Sequence, residues 1–321
     1  MALPNHDDLT AGDVLGAYLR SQATAFLRAL RLHDAGAPGG PDSAESSGAA
    51  YGLRGAARRI AGSLSTFRPV TETGWADSLR TELVWLSATL ADEHAHAARL
   101  SRLLEALQRL SDSPDLPAPR GGTGAPGALT VGSARAGALL ERRLTLARTR
   151  AHSATLQALG SSRFHAVADA VAVLASEVPL DPVAARGRAG DVLEPLAELT
   201  GARLAGAVSA LPDAQGTPYA AHEDAAWHEV RRLLRVHRYA REALGGDVAR
   251  LSAAGEALDL HRDAAEAATA SAAAARTPRI APATAYALGV LHADQRHAAE
   301  AARRAFHRVW HPAPAGAGLR P

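Results

Sequence analysis

Apolar side chains recur along the chain at intervals of three and four residues, separated by runs of polar, glycine and proline positions. In the first such stretch Leu15, Leu19 and Phe26 fall on one face of a helix, and either Asp8 or Thr10 can cap its start. No stretch shows the convincing alternation of apolar and polar residues that a half-buried strand requires. The pattern therefore predicts an all-α protein.

The same periodicity predicts nine helices, and glycine or proline marks most of their ends. The first helix runs from its cap to about residue 32, and the others cover about 50–67, 75–110, 133–159, 162–176, 191–211, 223–244, 248–275 and 282–310. The third helix is expected to break near Ala91. Gly160 is expected to end the fourth helix, and Ser161 or Ser162 to begin the fifth.

Two stretches rich in Gly, Pro and Ser, residues 34–48 and 111–130, interrupt the helical pattern and are predicted linkers. The second linker divides one domain at about 10–310 into a first helical half at about 10–110 and a second at about 131–310. Residues 311–321 form a predicted disordered tail.

Composition narrows the possible chemistry. The chain has 321 residues, a net charge of +2 and no lysine, so all 35 Lys and Arg positions are arginines. Cysteine is absent, which excludes disulfides, thiolate nucleophiles and cysteine metal sites. The first residues lack the pattern of a secretory signal, and no apolar run is long enough to span a bilayer. A soluble cytoplasmic protein is expected.

The clearest candidate for chemistry is the basic segment 228–242, HEVRRLLRVHRYARE. Four basic residues of this helix lie within an arc of roughly 80°: His228, Arg231, Arg235 and Arg238. Exposed helices usually mix acids among their bases, but the acids here are only Glu229 at the start and Glu242 at the end. The stripe therefore indicates a site for an anion from outside the chain.

A weak internal repeat supports this interpretation. The segment YGLRGAARR, which begins at Tyr51, can be laid over the segment HEVRRLLRV, which begins at His228. Arg54 and Arg58 repeat the spacing of Arg231 and Arg235, so each half can offer arginines to one shared site.

Several catalytic and metal-binding patterns fail. His228 and Glu229 begin like a zinc-protease motif, but Arg232 stands where that motif needs its second histidine. His94 and His96 point to different sides of a helix. No nucleophile or acid–base carboxylate pair stands out, so no enzyme activity, metal or cofactor is predicted.

These segments resemble a known family, the conserved histidine α-helical domain or CHAD. Its second basic helix typically reads His-Glu-Leu-Arg, three residues, Lys or Arg, then Leu-Arg-Tyr, which residues 228–239 resemble. Residues 258–263 and 285–310 are similar to the following segments of the family. The first half departs from the pattern, because Tyr51 replaces a histidine and Ala61 an arginine. This first repeat is therefore degenerate.

The resemblance implies a pseudo-two-fold arrangement of helical bundles around a basic groove or pore, and binding of inorganic polyphosphate, with association with polyphosphate granules. The candidate phosphate-binding residues are His228, Arg231, Arg232, Arg235, Arg238, Arg54, Arg58 and Arg59. Tyr239, Asp263 and Tyr51 are candidate supporting residues, and Asp263 could orient a neighbouring arginine.

Two alternatives remain open. The same stripe could bind nucleic acid, which is expected as a weaker competitor because few aromatic residues are placed for base stacking. The degenerate first repeat also allows a scaffold that keeps the fold and has lost the ligand. The leading hypothesis is non-enzymatic binding of polyphosphate.

Overall fold

A computed structural model describes residues 9–35, 43–112, 128–212 and 218–311. Within these ranges the chain forms nine α-helices: α1 (Ala11–Ala35), α2 (Ser43–Thr66), α3 (Thr73–Ser111), α4 (Ala128–Leu159), α5 (Ser162–Ser176), α6 (Ala189–Ser209), α7 (Asp224–Ala243), α8 (Ala249–Ala275) and α9 (Pro282–Trp310). The same ranges contain no β-strand, and their extended segments form only isolated bridges. The prediction of an all-α fold is confirmed.

Local capping explains where two of the helices begin. The hydroxyl of Thr10 accepts a hydrogen bond from the backbone N–H of Asp13 at 3.1 Å, and the Asp13 carboxylate accepts from the Thr10 backbone N–H at 3.2 Å. This reciprocal pair selects Thr10 as the cap of α1; Asp8 lies outside the described residues. The hydroxyl of Ser161 accepts from the backbone N–H of Phe164 at 3.2 Å and caps α5.

Three of the predicted boundaries are wrong. Helix α3 runs without interruption for 39 residues, because it contains neither proline nor glycine between Trp75 and Leu110 and nothing breaks it near Ala91. Helix α2 begins at Ser43, so residues 43–48 of the first predicted linker are helical. Helix α4 begins at 128, within the second predicted linker, of which 113–127 lie outside the described residues together with 312–321 of the tail.

The chain forms two compact units from interleaved segments. The first unit comprises residues 1–92, 151–210 and 232–251, and the second comprises residues 93–150, 211–231 and 252–321. Helices α3, α4, α7 and α8 each contribute residues to both units. The division of the sequence into two halves joined by residues 111–130 stays a prediction.

The core of the first unit is built from the apolar stripes of its helices. Leu15, Leu19 and Phe26 of α1 are fully buried, as their spacing predicts. Helix α1 packs against α2, α5 and α6, and Ile60 of α2 and Val171 of α5 join the same cluster. Burial of such side chains contributes about 1.5–3 kcal/mol each to folding.

The second unit has an alanine-rich core. Leu103 of α3, Leu140 of α4 and Leu288 of α9 form one cluster with buried alanines of α8. Trp227 of α7 and Phe306 of α9 are also buried in this unit, so large rings and small alanines fill its interior together. A separate buried cluster surrounds Tyr219, which is 3% exposed.

Candidate anion-binding site

Most of the candidate residues lie in the first unit, on α2 and on α7 from Arg232 onward. On α2 the side chains of Leu53, Ile60 and Leu64 are buried at helical spacing and fix which face meets the core. This orientation leaves three arginines partly exposed: Arg54, Arg58 and Arg59. Tyr51, which precedes them by about one turn, is 63% exposed.

Helix α7 is oriented in the same way. Leu234 and Tyr239 are buried in the first unit, while Arg235 and Arg238 are partly exposed and Arg232 is exposed. The apolar positions therefore hold one side of the helix, and the arginines follow its remaining surface.

Arginines from both sequence repeats meet at Glu242. The Nε of Arg59 donates a hydrogen bond to Oε2 of Glu242 at 2.9 Å, and the Tyr18 hydroxyl donates to the same oxygen at 3.3 Å. The Nε of Arg238 lies 3.2 Å from Oε1 of Glu242. These four residues and Tyr239 are called the Glu242 cluster.

The ring of Tyr239 lies against both guanidiniums of this cluster. Its centroid lies 5.5 Å from Cζ of Arg59 and 5.2 Å from Cζ of Arg238, within the range of cation–π attraction. Gly62 allows the ring to sit against α2, since a Cβ at that position would lie 2.7 Å from Cδ2 of Tyr239. The glycine and the ring together restrict where the two guanidiniums can go.

The protonation states of the cluster are fixed by burial and by Glu242. Burial raises the pKa of the Tyr18 hydroxyl, and the Glu242 carboxylate raises this pKa further by charge repulsion and by accepting its hydrogen bond. Burial alone would lower the pKa of Arg59, but the ion pair with Glu242 raises it above its ordinary value. Tyr18 therefore remains a donor and Arg59 a cation at physiological pH.

Arg58 directly precedes Arg59 of the Glu242 cluster and has a donor N–H without an acceptor in the described part of the chain. Its Nε is buried and has no hydrogen-bond partner among the described residues. A buried N–H without an acceptor costs about 1–3 kcal/mol. Arg54, one turn earlier, interacts with the surrounding protein.

The arginines of the second unit are matched by acids. Carboxylates recur along one face of α8: Asp259, Asp263 and Glu266. Asp259 accepts a hydrogen bond from Arg231, and Glu266 accepts one from Arg99. Asp263 accepts from the Nε of Arg262 at 2.9 Å. Arg231 is only 9% exposed. Helix α7 supplies few acids itself, but α8 gives this arginine an internal partner that spacing along α7 could not reveal.

His228 borders a cavity of about 350 Å³ in the second unit, lined also by Arg99, Asp224, Glu266 and Thr269 and by alanine methyl groups. His228 is exposed, but partial desolvation of its ring lowers its pKa and outweighs the opposing effect of the Asp224 carboxylate. The imidazole is therefore neutral at pH 7, and it offers a hydrogen bond rather than a charge.

A buried polar network holds the first turn of α7 in the second unit. Arg303 donates from Nη1 to Glu223 at 2.6 Å, from Nη2 to Asp224 at 3.1 Å and from Nε to Nε2 of His261 at 3.1 Å. The Tyr219 hydroxyl donates to Asp224 at 2.5 Å. Burial alone would raise the pKa of Asp224, but its contacts with His261, Tyr219 and Arg303 lower it. These five residues are called the Arg303 network.

No sequence pattern points to Tyr18 or Arg303, and Glu242 stands out in the sequence only as an acid at the end of the basic segment. The i, i+4 spacing of Arg238 and Glu242 was the available signal for that ion pair. No sequence signal links Tyr18 with Glu242, since 224 positions separate them.

The described ranges hold neither a cluster of metal ligands nor a helix fit to span a membrane. There, no group of three or more His, Asp or Glu side chains is placed to hold a metal ion. None of the helices in those ranges is both long and apolar enough to cross a membrane.

Comparison with known proteins identifies the family. PptA from Streptomyces chartreusis is 57% identical, with a TM-score of 0.78 and coverage of 94% of this chain and 99% of that chain. The CHAD domain from the plant Ricinus communis is 19% identical and shares the fold, with a TM-score of 0.60 and coverage of 98% and 96%. No curated protein matches the chain. The family model described as the CHAD domain matches residues 21–272, and the chain belongs to the CHAD domain family.

Proposed function

We propose that this protein binds inorganic polyphosphate without catalysis, and that the arginines of α2 and of α7 in the first unit supply most of the binding energy. Membership of the CHAD family supports the choice of ligand, because known members are associated with polyphosphate. A location in the cytoplasm, at polyphosphate granules, is part of the same proposal.

The observation that carries the proposal is the meeting of Arg59 and Arg238 at Glu242. Arg59 donates a hydrogen bond to that carboxylate from Nε, while Arg238 forms an ion pair with it in which the buried Nε makes no hydrogen bond to the described residues. Neither guanidinium forms a hydrogen bond from Nη1 or Nη2 to any described residue. Two planar groups with unused N–H donors thus lie beside one another. Guanidiniums bind phosphate oxygens through parallel N–H bonds, so the pair suits a ligand with closely spaced phosphates.

Other candidate residues extend this surface. Arg58 of α2 is partly exposed, and Arg54, Arg232 and Arg235 lie on the same two helices. His228 and Arg231 belong to the second unit, where Arg231 already has a carboxylate partner. We therefore assign these two a smaller share of the binding energy.

Titration with polyphosphate at increasing salt concentrations tests the proposal. If four phosphates are contacted, affinity should fall about fiftyfold between 50 and 200 mM salt, by analogy with single-stranded nucleic acid. Competition with single-stranded RNA and duplex DNA separates the alternatives. Both should displace polyphosphate only at much higher concentration. Affinity that ignores salt, or equal displacement by either nucleic acid, would contradict polyphosphate as the ligand.

A further inference from the structure

We propose that Glu242 is a positioning residue, which holds Arg59 and Arg238 with their Nη groups ready for phosphate oxygens. The inference rests on the proposed function. It assigns an acidic side chain, which would repel a polyanion at long range, a favourable role in binding one.

The carboxylate of Glu242 connects three helices. Its Oε2 accepts from Arg59 of α2 at 2.9 Å and from Tyr18 of α1 at 3.3 Å, and its Oε1 faces Arg238 of α7 at 3.2 Å. Oε2 thus accepts two hydrogen bonds, and Oε1 is held in an ion pair in which the buried Nε of Arg238 makes no hydrogen bond to the described residues. One acid therefore fixes the relative positions of two arginines that lie 179 positions apart in the sequence.

The mode of contact leaves the phosphate-binding edges open. A guanidinium has five N–H groups. Arg59 uses its Nε–H toward Glu242, and Arg238 faces the same carboxylate with Nε, while their Nη hydrogens have no acceptor among the described residues. A phosphate can therefore bind through the Nη groups while Glu242 remains in place.

The surroundings make this arrangement stiff. The side chains of Glu242, Arg238 and Arg59 are 18%, 21% and 34% exposed, so solvent screens their ion pairs less than on an open surface. The ring of Tyr239, seated against Gly62, lies beside both guanidiniums. Holding long side chains in place before binding removes an entropic cost that the ligand would otherwise meet.

A competing role for Glu242 predicts the opposite sign. If the carboxylate occupied the place of a phosphate, neutralising it would release two arginines and tighten binding. The observed contacts through Nε do not block the Nη groups, so neutralisation should instead loosen both side chains. The amide of Glu242→Gln keeps the shape but offers one acceptor oxygen, and its N–H groups repel the second guanidinium.

The test measures polyphosphate affinity for Glu242→Gln against Glu194→Gln. Glu194 pairs with Arg241 at 3.0 Å in the same unit, so its replacement makes the same charge change without touching Arg59 or Arg238. Glu242→Gln should weaken binding about tenfold, as expected for losing the pre-ordering of two long side chains. Glu194→Gln should leave affinity unchanged or slightly increased.

A second measurement distinguishes positioning from a general effect on the fold. In the Arg59→Ala, Arg238→Ala background, Glu242→Gln should cause no further loss of affinity. An equal loss in both backgrounds, or unchanged or tighter binding by the single Glu242→Gln variant, would overturn the inference while leaving the proposed function intact. Absence of binding by the wild-type protein would instead overturn the proposed function, and the binding role of Glu242 with it.

Discussion

The Glu242 cluster and the Arg303 network both surround arginine with carboxylates and aromatic rings, but they differ in the ratio of charges. The Glu242 cluster places two guanidiniums on one carboxylate, and each contacts it through a single nitrogen. In the network, Arg303 alone faces Glu223 and Asp224 and donates from all three of its nitrogens. The first arrangement leaves donors for a ligand, whereas the second uses them to hold the protein together.

The two regions also differ in exposure. Arg303 is 5% exposed, and its ring neighbours Tyr219 and Trp227 are 3% and 1% exposed. Arg59, by contrast, keeps a third of its side-chain surface in contact with solvent. Buried arginine in the presence of sufficient acids therefore indicates a structural role here, and partly exposed arginine in excess over acids indicates a binding role.

The largest expected effect is on stability, in the second unit. Arg303→Ala leaves the buried carboxylates of Glu223 and Asp224 without their cation, so the free energy of unfolding should fall by about 3–5 kcal/mol. Chemical denaturation followed by far-UV circular dichroism measures this change. As a control, Arg68→Ala removes an arginine that contacts Asp77 at 2.8 Å on the exposed surface, and it should change stability little. Equal effects of the two variants would contradict the structural role of Arg303.

The next effect is on binding and compares two pairs of arginines. Arg59→Ala with Arg238→Ala removes two charge-assisted contacts of about 1.5–3 kcal/mol each, and should weaken polyphosphate binding at least about a hundredfold. Arg231→Ala with Arg262→Ala removes the same charge from two arginines that already have acid partners, and should cost less than about tenfold. Titration at one fixed salt concentration measures both.

Each double variant must first show wild-type helicity at the temperature of the titration. Equal losses of affinity would indicate diffuse electrostatic binding, in which any two arginines count alike. A larger loss from Arg231 and Arg262 would place the site in the second unit.

The smallest effect concerns pH and the histidines. Partial desolvation lowers the pKa of His228 in the second unit and of His237 in the first, so both imidazoles are neutral at pH 7. Affinity for long polyphosphate should therefore change less than about twofold between pH 7 and pH 8. Below about pH 6.5 protonation of His228 should increase affinity if it contacts phosphate, and His228→Gln should abolish that increase.

The lowered pKa values of His228 and His237 also determine how the free energy of unfolding changes with pH. A lowered histidine pKa in the folded protein means that protonation favours the unfolded chain. Their contribution to stability should be fully present above about pH 6.5 and should be lost as pH falls below it. Denaturant titrations at several pH values, with His237→Gln as the comparison, separate the contributions of the two histidines to stability.

The binding measurement has its own contradicting outcome. A binding affinity that declines steeply from pH 7 to pH 8 would show that His228 acts as a cation at neutral pH.

Local sequence signals account for most of the helices. The apolar positions Leu15, Leu19 and Phe26 recur with the period of a helix, and Ser161 satisfies the first N–H groups of α5 from its own neighbourhood. Such signals act over three or four residues, so they survive without knowledge of the fold. The errors at the start of α2 and near Ala91 arose where composition resembled a linker or a break while helix propensity remained sufficient.

The packing of the helices sets which arginines have acid partners within the protein, and local sequence does not reveal it. Helical spacing places Arg231 and Arg238 on one face of α7. In the fold, Arg231 pairs with Asp259 of α8, whereas Arg238 shares Glu242 with Arg59 of α2. The partners Arg59 and Glu242 are separated by 183 positions, and helical periodicity carries no information over that distance. Charge pairing depends on which helices come together, because a carboxylate neutralises an arginine only within a few ångströms.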